Sequence, residues 1–475
     1  MMNEKLRWSR NVNWREDGEG LLLYHIDYSE KRLIKTFKFN KSAKKIWMLC
    51  DGSYTDTEKQ ILDYFKNLNS GLLNKVAEFI KILQKEDLIT YEKSRDKKNA
   101  KGNKKVNYIV IKNPEIKLIK KERIGSSIDH YQSVKKLGNT NQFYMPIIAF
   151  LDITHKCNLR CKYCFFYPES KHHEEPSLSE LKRIIDRIEK AGVRLLTLQG
   201  GEPFVRKDIL DIIEYAYNKG LITNINTNAT LLNKETLNKL RKISNSKIYF
   251  QINLSGTKKN YEFLMGKDTF DKTIENIKLA IKMGFRVEII YINLRINRLD
   301  LPRVYMLCNK WGAETVLIFG GPVRVGFAEI YLKNFYPRLT ELIWAFFFKK
   351  IVNFFRKIHI LSTNVEFANC QYPICTFIHI DTEGNAHFCP GLRGAMPLGN
   401  ILEKDLLEIW HSEEYKKLVD RERIGEPCKS CLFKKNCRFG CRAEIYAKTG
   451  DFFAGNTYCL RGKVSSFINK IIGRR

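Results

Sequence analysis

Between residues 145 and 330 the chain switches repeatedly from a short apolar run to an amphipathic stretch, and this alternation limits the fold more than any other feature. The strand-like runs are Ile147–Ile153, Val193–Leu198, Ile222–Asn226, Lys247–Leu254, Val287–Leu294 and Thr315–Phe319. Helical stretches lie between them, at Leu178–Ala191, Asp208–Lys219, Asn233–Ile243, Thr269–Met283 and Leu301–Trp311. Strands that alternate with helices of this length build parallel sheets. Six such units predict an α/β fold based on a partial (β/α)6 barrel of the TIM type. Chemistry in such barrels sits at the C-terminal strand ends.

Two motifs fall at those ends. Cys157, Cys161 and Cys164 follow the first apolar run with the spacing C-x3-C-x2-C. Three thiolates this close, with no fourth beside them, can hold three irons of a cubane and leave the fourth iron open to a small molecule. A zinc site closes with four ligands, so zinc would need a distant fourth partner. The second motif, Gln199-Gly200-Gly201-Glu202-Pro203, ends the second run. Its glycines let backbone approach a ligand closely, and a carbonyl or carboxylate there suits an ammonium group.

Together these motifs resemble the radical S-adenosylmethionine (SAM) superfamily. The resemblance implies that the open iron chelates the amino and carboxylate groups of SAM. It implies that the turn Gly200, Gly201, Glu202 and Pro203 hydrogen-bonds the SAM amino group and that Tyr163 flanks the adenine. Asn253 stands where the family has a serine that meets SAM, and Thr227-Asn228 matches a Thr-Asn-Gly signature with Ala229 in the glycine place. The family's arginine in the next segment is missing, since Phe263-Leu-Met-Gly266 stands there. No residue stands out as a general base.

Residues 370 to 459 hold eight further cysteines, as Cys370-x4-Cys375-x13-Cys389 and Cys428-x2-Cys431-x5-Cys437-x3-Cys441-x17-Cys459. Eight thiolates at these spacings can complete two four-ligand clusters, although zinc ribbons also use C-x2-C. The pattern closely resembles the SPASM extension, which holds two auxiliary 4Fe–4S clusters. That resemblance places Cys370, Cys375, Cys389 and Cys441 on the first cluster. Cys428, Cys431, Cys437 and Cys459 go to the second. The implied cofactors are three 4Fe–4S clusters and SAM. Two readings of Cys375 stay open: as a ligand it closes the first auxiliary cluster, and as a core residue it leaves an iron for a substrate thiolate. Eleven of the thirteen cysteines are thereby spaced for metal, as expected where disulfides do not persist. Cys50 and Cys308 lie in apolar helical patterns and read as small core residues.

Residues 1–95 read as a separate winged-helix-like domain. Leu21–Tyr28 and Leu33–Phe39 form a hairpin, followed by helices around residues 43–49, from Thr55, and over Leu73–Gln84, and then a short strand, Leu88–Tyr91. The stretch Phe39-Asn-Lys-Ser-Ala-Lys-Lys-Ile-Trp-Met-Leu-Cys-Asp-Gly52 resembles the PqqD-like peptide chaperone, also called the RiPP recognition element (RiPPs are ribosomally made, post-translationally modified peptides). In that family a leader peptide adds as a strand to a sheet edge, which here points to Arg32–Phe39. The competing reading is a winged helix that binds DNA or is purely structural. The remaining expected divisions are a connector at 96–140, with an extra strand at Tyr108–Ile111, the barrel at 141–330, an aromatic helical bridge at 331–365 that packs in the core against the next domain, with a membrane-surface helix as the competing reading, and the SPASM domain at 366–475.

The formal charge of +30 invites a nucleic-acid reading, but the lysines are spread along the whole chain. The densest run, Lys93 to Lys105, lies in a polar linker. An acidic peptide partner fits better. The polar N-terminus lacks the apolar region of a signal peptide. The longest apolar run, Leu342–Phe348, is too short to span a bilayer, so a cytoplasmic protein without a membrane partner is expected. The expected function is a radical SAM/SPASM oxidoreductase that forms a thioether or carbon–carbon cross-link in a precursor peptide. Its leader would be held on residues 1–95, and a flavodoxin or ferredoxin would supply electrons. Three alternatives are weighed. Haem side-chain chemistry, a cofactor-biosynthesis role, is the first. Anaerobic sulfatase maturation needs an Asp after the Cys389 equivalent, where Pro390 stands, and such enzymes lack the N-terminal domain. A DNA-binding iron–sulfur regulator leaves Gly200–Pro203 unexplained.

Overall fold

The structure, a computed structural model, describes residues 4–8, 12–17, 20–27, 32–48, 70–86, 88–93, 116–121, 144–164, 175–318, 365–368, 377–393, 395–434 and 440–457, with isolated positions beyond them. The chain divides into two units, Met1–Tyr144 and Met145–Arg475.

In the first unit, β1 (Glu4–Trp8) pairs antiparallel with β5 (Ile89–Lys93). A separate antiparallel sheet has the order β2 (Val12–Asp17), β3 (Gly20–Asp27), β4 (Arg32–Phe39) and β6 (Ile116–Lys121). Period-two alternation puts Leu21, Leu23, Phe37 and Phe39 on the buried face. Helix α1 (Lys41–Met48) adds Ala43, Ile46 and Trp47 to this core, and α2 (Ser70–Lys85) adds Val76, Phe79, Ile80 and Leu83. Phe39 lies edge-on to both Trp47 and Phe79, at 5.8 and 5.5 Å, a favourable ring geometry. The expected hairpin is present as β3 and β4. The expected free edge is not, because β6 pairs along β4 from Phe39↔Ile116 to Lys35↔Lys121. Among the described residues β2 and β6 are the outer strands of this sheet, and at β2 the Trp14 carbonyl accepts from the Tyr144 amide (2.8 Å). The helix expected from Thr55, Cys50 and the strand expected at Tyr108–Ile111 lie outside the described residues.

The second unit is built on a ten-stranded sheet. Its parallel centre is β7 (Ile148–Thr154), β8 (Leu195–Gly200), β9 (Ile222–Thr227), β10 (Ile248–Asn253), β11 (Arg286–Ile292) and β12 (Glu314–Ile318), the six strands read from sequence. β13 (Val365–Ala368) extends it beyond β12. Beyond β7 lie β14 (Phe377–Ile380), β15 (Asn385–His387) and β16 (Gly399–Asn400). The crossover helices are α3 (Leu178–Lys190), α4 (Ile209–Asn218), α5 (Lys234–Ile243), α6 (Lys258–Met265), α7 (Phe270–Lys282) and α8 (Leu301–Trp311). A capping box of Ser177 and Glu180 starts α3. Leu196, Leu198, Ile225, Phe250, Ile252 and Ile289 are fully buried along the strands. Cys308, on α8, is fully buried as expected.

The alternate positions carry a polar row across the sheet. Register pairs Asp152 with Gln199, Asn226 with Gln251, Gln251 with Glu288, and Glu288 with Glu314. Gln199 donates to Asp152 (3.2 Å), Asn226 to Gln199 (3.0 Å) and Gln251 to Glu288 (2.8 Å). Closed TIM barrels fill such layers with branched apolar side chains. The polar row marks this face as the interior of an open barrel.

The C-terminal part follows through short helices α9 (Leu406–Trp410), α10 (Glu413–Val419) and α11 (Arg442–Thr449). Of the segment 331–365, Phe348 and Val352 are buried, Phe348 edge-on to Tyr305, whereas Trp344, Phe347 and Ile351 are exposed. The expected core packing thus holds for one side of it. Phe346, Phe354 and Phe355 lie outside the described residues. No helix among the described residues is long and apolar enough to cross a membrane.

Candidate active site

The loop after β7 carries Cys157, Cys161 and Cys164, all partly exposed. The amide of Cys164 donates to the Cys161 carbonyl (3.1 Å), closing a turn, and that of Lys162 donates to the Leu264 carbonyl (2.8 Å). The end of α6 therefore supports the loop. Tyr163 donates its hydroxyl to the Met265 sulfur (2.9 Å) and packs against Leu264, Ile292 and Leu294. Gly266, which ends α6 at φ +71°, lies so close that a Cβ there would stand 2.9 Å from the Arg160 carbonyl. Sequence reasoning gave no role to the segment Phe263–Gly266. Its apolar residues and terminal glycine were the available signal.

The glycine turn is tied to this loop. Gly201 donates to the Thr154 carbonyl and Glu202 to the Lys156 carbonyl, each at 2.8 Å. A Cβ on Gly201 would stand 2.0 Å from the Lys156 oxygen, and one on Gly200 would stand 2.3 Å from that of Thr154. The glycines thus permit close approach to the chain's own backbone, rather than only to a ligand. Glu202 is almost fully buried. Its carboxylate accepts from the Thr227 hydroxyl (2.7 Å), the Asn228 amide (2.7 Å) and the Phe204 amide (3.1 Å). Burial pushes the Glu202 carboxyl up to about 7 against these hydrogen bonds. Thr227-Asn228 and Glu202 are therefore one unit joining β8 to β9. Asn228 also donates to Asn158 in the cysteine loop (2.8 Å). Ala229, in the family's glycine place, has φ 61°, in the left-handed region.

At the end of β10, the Asn253 Oδ1 is buried with no hydrogen-bond partner among the described residues. A buried amide oxygen without a donor is costly and suits a ligand N–H. The cysteine loop, Gly200–Pro203 and Asn253 thus share the C-terminal edge of the parallel strands.

Among the described residues no group of three His, Cys, Asp or Glu converges to hold a single ion. A cubane takes its thiolates at separate corners, so convergence on one point is not what it requires. The donor set fits such a cluster. Burial raises the Cys157 and Cys161 thiols, and the neighbouring thiols Cys164 and Cys157 raise Cys161 further. Three mutually repelling thiolates need a cationic centre between them. In the C-terminal part, burial pushes the buried Cys389 thiol up to about 12, with Cys441 the next contributor. The Asn456 amide donates to the Cys428 sulfur (3.2 Å), and the Cys459 amide donates to the Asn456 carbonyl (3.2 Å). Cys431 adjoins Cys428 in a turn (3.3 Å). Cys370, Cys375 and Cys437 lie outside the described residues.

Sequence reasoning missed the joint between the two cysteine regions. Asp152, fully buried on β7, receives Gln199, the His379 Nε2 at 2.7 Å and the Arg393 guanidinium. His379 is on β14, and Arg393 follows Cys389 by one turn. Burial, with His387 beside it, holds His379 down to about 3, so it is neutral at pH 7 and donates from Nε2. Thr382 hydrogen-bonds His155 in the cysteine loop. The His379, Arg393 and Thr382 contacts join residues more than 200 positions apart and leave no local sequence signal.

Comparison with known proteins agrees with this arrangement. Residues 151–308 match the radical SAM superfamily, and residues 370–432 match the iron–sulfur cluster-binding domain SPASM. An AdoMet-dependent heme synthase of Methanosarcina barkeri is 27% identical over 344 residues, 66% of this chain and 96% of that protein. A PqqA peptide cyclase of Bradyrhizobium diazoefficiens is 24% identical over 344 residues, 68% of this chain and 88% of that protein. Among solved structures, Streptococcus suis SuiB bound to S-adenosylmethionine shares the fold with TM-score 0.64 at 16% identity, covering 96% of this chain and 100% of that one. SuiB has also been solved bound to a precursor peptide, SuiA, with TM-score 0.63. The second unit therefore carries a radical SAM core followed by a SPASM iron–sulfur domain.

Proposed function

We propose that this chain modifies a ribosomally made precursor peptide, closing a thioether or carbon–carbon cross-link by hydrogen abstraction. The reading rests chiefly on the first unit, a small sheet with two described helices ahead of the radical SAM core. A chemistry confined to a small cofactor has no evident use for it. The chain's similarity to a peptide cyclase and to the fold of SuiB supports the reading. In this proposal residues 1–95 hold the leader, 96–140 connect, 141–330 form the barrel, 331–365 bridge and 366–475 hold the auxiliary clusters.

Cys157, Cys161 and Cys164 hold the SAM cluster. The auxiliary clusters take Cys370, Cys375, Cys389 and Cys441, and Cys428, Cys431, Cys437 and Cys459. Bound, the clusters and SAM supply hydrogen-atom abstraction from an unactivated carbon and a sink for one electron. The chain's own residues position and shield. The Gly200–Gly201 backbone and the Asn253 Oδ1 accept from the SAM amino group. Glu202 and Pro203 complete that turn, and the Glu202 carboxylate, with three protein donors, also holds it in place. The Tyr163 ring closes one side of the adenine position. The polar row on β7–β12 lines the space beyond. A flavodoxin- or ferredoxin-type protein supplies electrons, and the chain acts in the cytoplasm.

Mass spectrometry after co-expression with a neighbouring short reading frame tests the proposal. A peptide lighter by two hydrogens is expected. An unchanged peptide mass beside active SAM cleavage refutes it. A second reading, haem side-chain chemistry, is favoured by the archaeal heme synthase, 96% of whose length aligns. It predicts a changed porphyrin mass instead.

A further inference from the structure

The ladder between β10 and β11 runs from Tyr249↔Arg286 to Asn253↔Ile290 and ends with the Leu254 amide on the Ile290 carbonyl (3.0 Å). Beyond that point two side chains take over. The Ser255 hydroxyl accepts from the Ile292 amide (2.8 Å). The carboxamide of Asn297, in the loop before α8, lies between the two strand ends. It donates to the Ser255 carbonyl (2.7 Å) and the Ile292 carbonyl (2.9 Å), and it accepts from the Leu294 amide (2.9 Å). The Tyr291 hydroxyl donates to the Asn297 carbonyl. Ser255, Tyr291 and Asn297 are fully buried. Three of the four hydrogen-bonding positions of the Asn297 amide are thus taken by backbone, so this side chain acts through what it holds.

What it holds faces the candidate site on both sides. Ser255 follows Asn253, whose Oδ1 is buried with no hydrogen-bond partner among the described residues. Ile292 and Leu294 join Leu264 in the apolar cluster that backs Tyr163. The Leu264 carbonyl in turn takes the Lys162 amide of the cysteine loop. We propose that Asn297 is a positioning residue for SAM. It fixes the span between Asn253, on the amino end of SAM, and the wall behind Tyr163, on the adenine end. Without it, two buried carbonyls and one buried amide lose their partner, a costly loss that lets the strand ends separate. The proposal rests on the reading that Asn253 and Tyr163 meet SAM.

The test is equilibrium dialysis of radiolabelled SAM against the full-length, cluster-loaded protein. The clusters are left oxidised, so that SAM is bound and not cleaved. Asn297→Ala should weaken SAM by about ten- to a hundredfold, the range expected when the support of a ligand-holding group is removed. Ser255→Ala, which deletes only the acceptor of the Ile292 amide, should weaken it by less. Leu240→Ala, fully buried on α5, destabilises the fold through a cavity and should leave SAM affinity unchanged. Iron content and the unfolding midpoint are measured on every variant. A staple that served only stability would lower the midpoint in Asn297→Ala and keep SAM affinity, and that result overturns the proposal. An equal loss of SAM affinity in Leu240→Ala overturns it too. Where Asn297→Ala fails to assemble its clusters, Ser255→Ala decides: weaker SAM binding supports the proposal and unchanged binding overturns it. Failure of the unaltered protein to bind SAM overturns the SAM reading itself, and the proposal with it.

Discussion

Arg393→Met probes the joint between the two cysteine regions. Asp152 is fully buried, and of its three partners only Arg393 is charged, since His379 is held neutral. Burial pulls the Arg393 guanidinium down to about 9, which leaves it protonated at pH 7. Its side chain retains 17% exposure, so solvent screens the pair little. Removing it strands a buried carboxylate with two neutral donors, Gln199 and His379. Breaking a buried ion pair by deleting one partner costs about 3–5 kcal/mol, roughly a hundredfold to several thousandfold in the folding equilibrium. Methionine keeps much of the arginine stem volume, so packing loss is small. Denaturant unfolding of the metal-free protein under anaerobic reducing conditions reads the change as a lower midpoint at constant slope. Asp152→Asn in the same chain should recover most of the loss, because no uncompensated charge remains. A single-variant cost below about 1 kcal/mol would falsify the assignment of Arg393 as counter-charge. A double variant as unstable as the single one would trace the cost to packing instead.

Other outcomes follow from the same geometry. Glu202 is raised to about 7 in the folded chain against about 4.3 unfolded. Between those values the unfolded chain has released the proton and the folded chain keeps it. Stability of the metal-free protein should therefore fall as pH rises from about 4.3 to 7, by up to about 1.4 kcal/mol per unit, and Glu202→Gln should flatten that slope. Gly201→Ala forces the Lys156 carbonyl away; SAM cleavage should drop at least tenfold with overall secondary structure retained by circular dichroism. Iron analysis should give about twelve irons per chain, from three cubanes. Cys389→Ser should lower the count by about four and spare the SAM-responsive electron paramagnetic resonance signal, whereas about four irons in the unaltered protein argues against auxiliary clusters.

The barrel was legible because its strands and helices differ in period. Five of the expected helices and all six expected strands lie within about two residues of their places. What escaped was the pairing of elements remote in sequence. Ile116–Lys121 reads as part of a charged connector, and only its partner β4 makes it a strand. α6 was hidden in a segment noted for a missing arginine. The cysteine loop was found from spacing, yet its props, Leu264 and Met265, lie 100 residues away. Asn253 was readable from its motif position, but its orphan oxygen was not. Glu202 was readable as part of the turn, but its burial and its three protein donors were not.

The pairing of β14 with β7 bears on how the protein is made. β7 precedes the SAM-cluster cysteines, and β14 is synthesised more than 200 residues later. Until then β7 is the bare edge of a hydrophobic parallel sheet, a surface that invites pairing with other chains. Parallel strands this far apart in sequence close slowly. The nascent chain must therefore carry an unfinished first cluster loop, with its Asp152 lacking His379 and Arg393, until the auxiliary-cluster segment emerges. Ends placed before Phe377 should yield aggregated protein rather than an isolated SAM-cleaving core, and iron delivery should succeed best after the whole chain has left the ribosome.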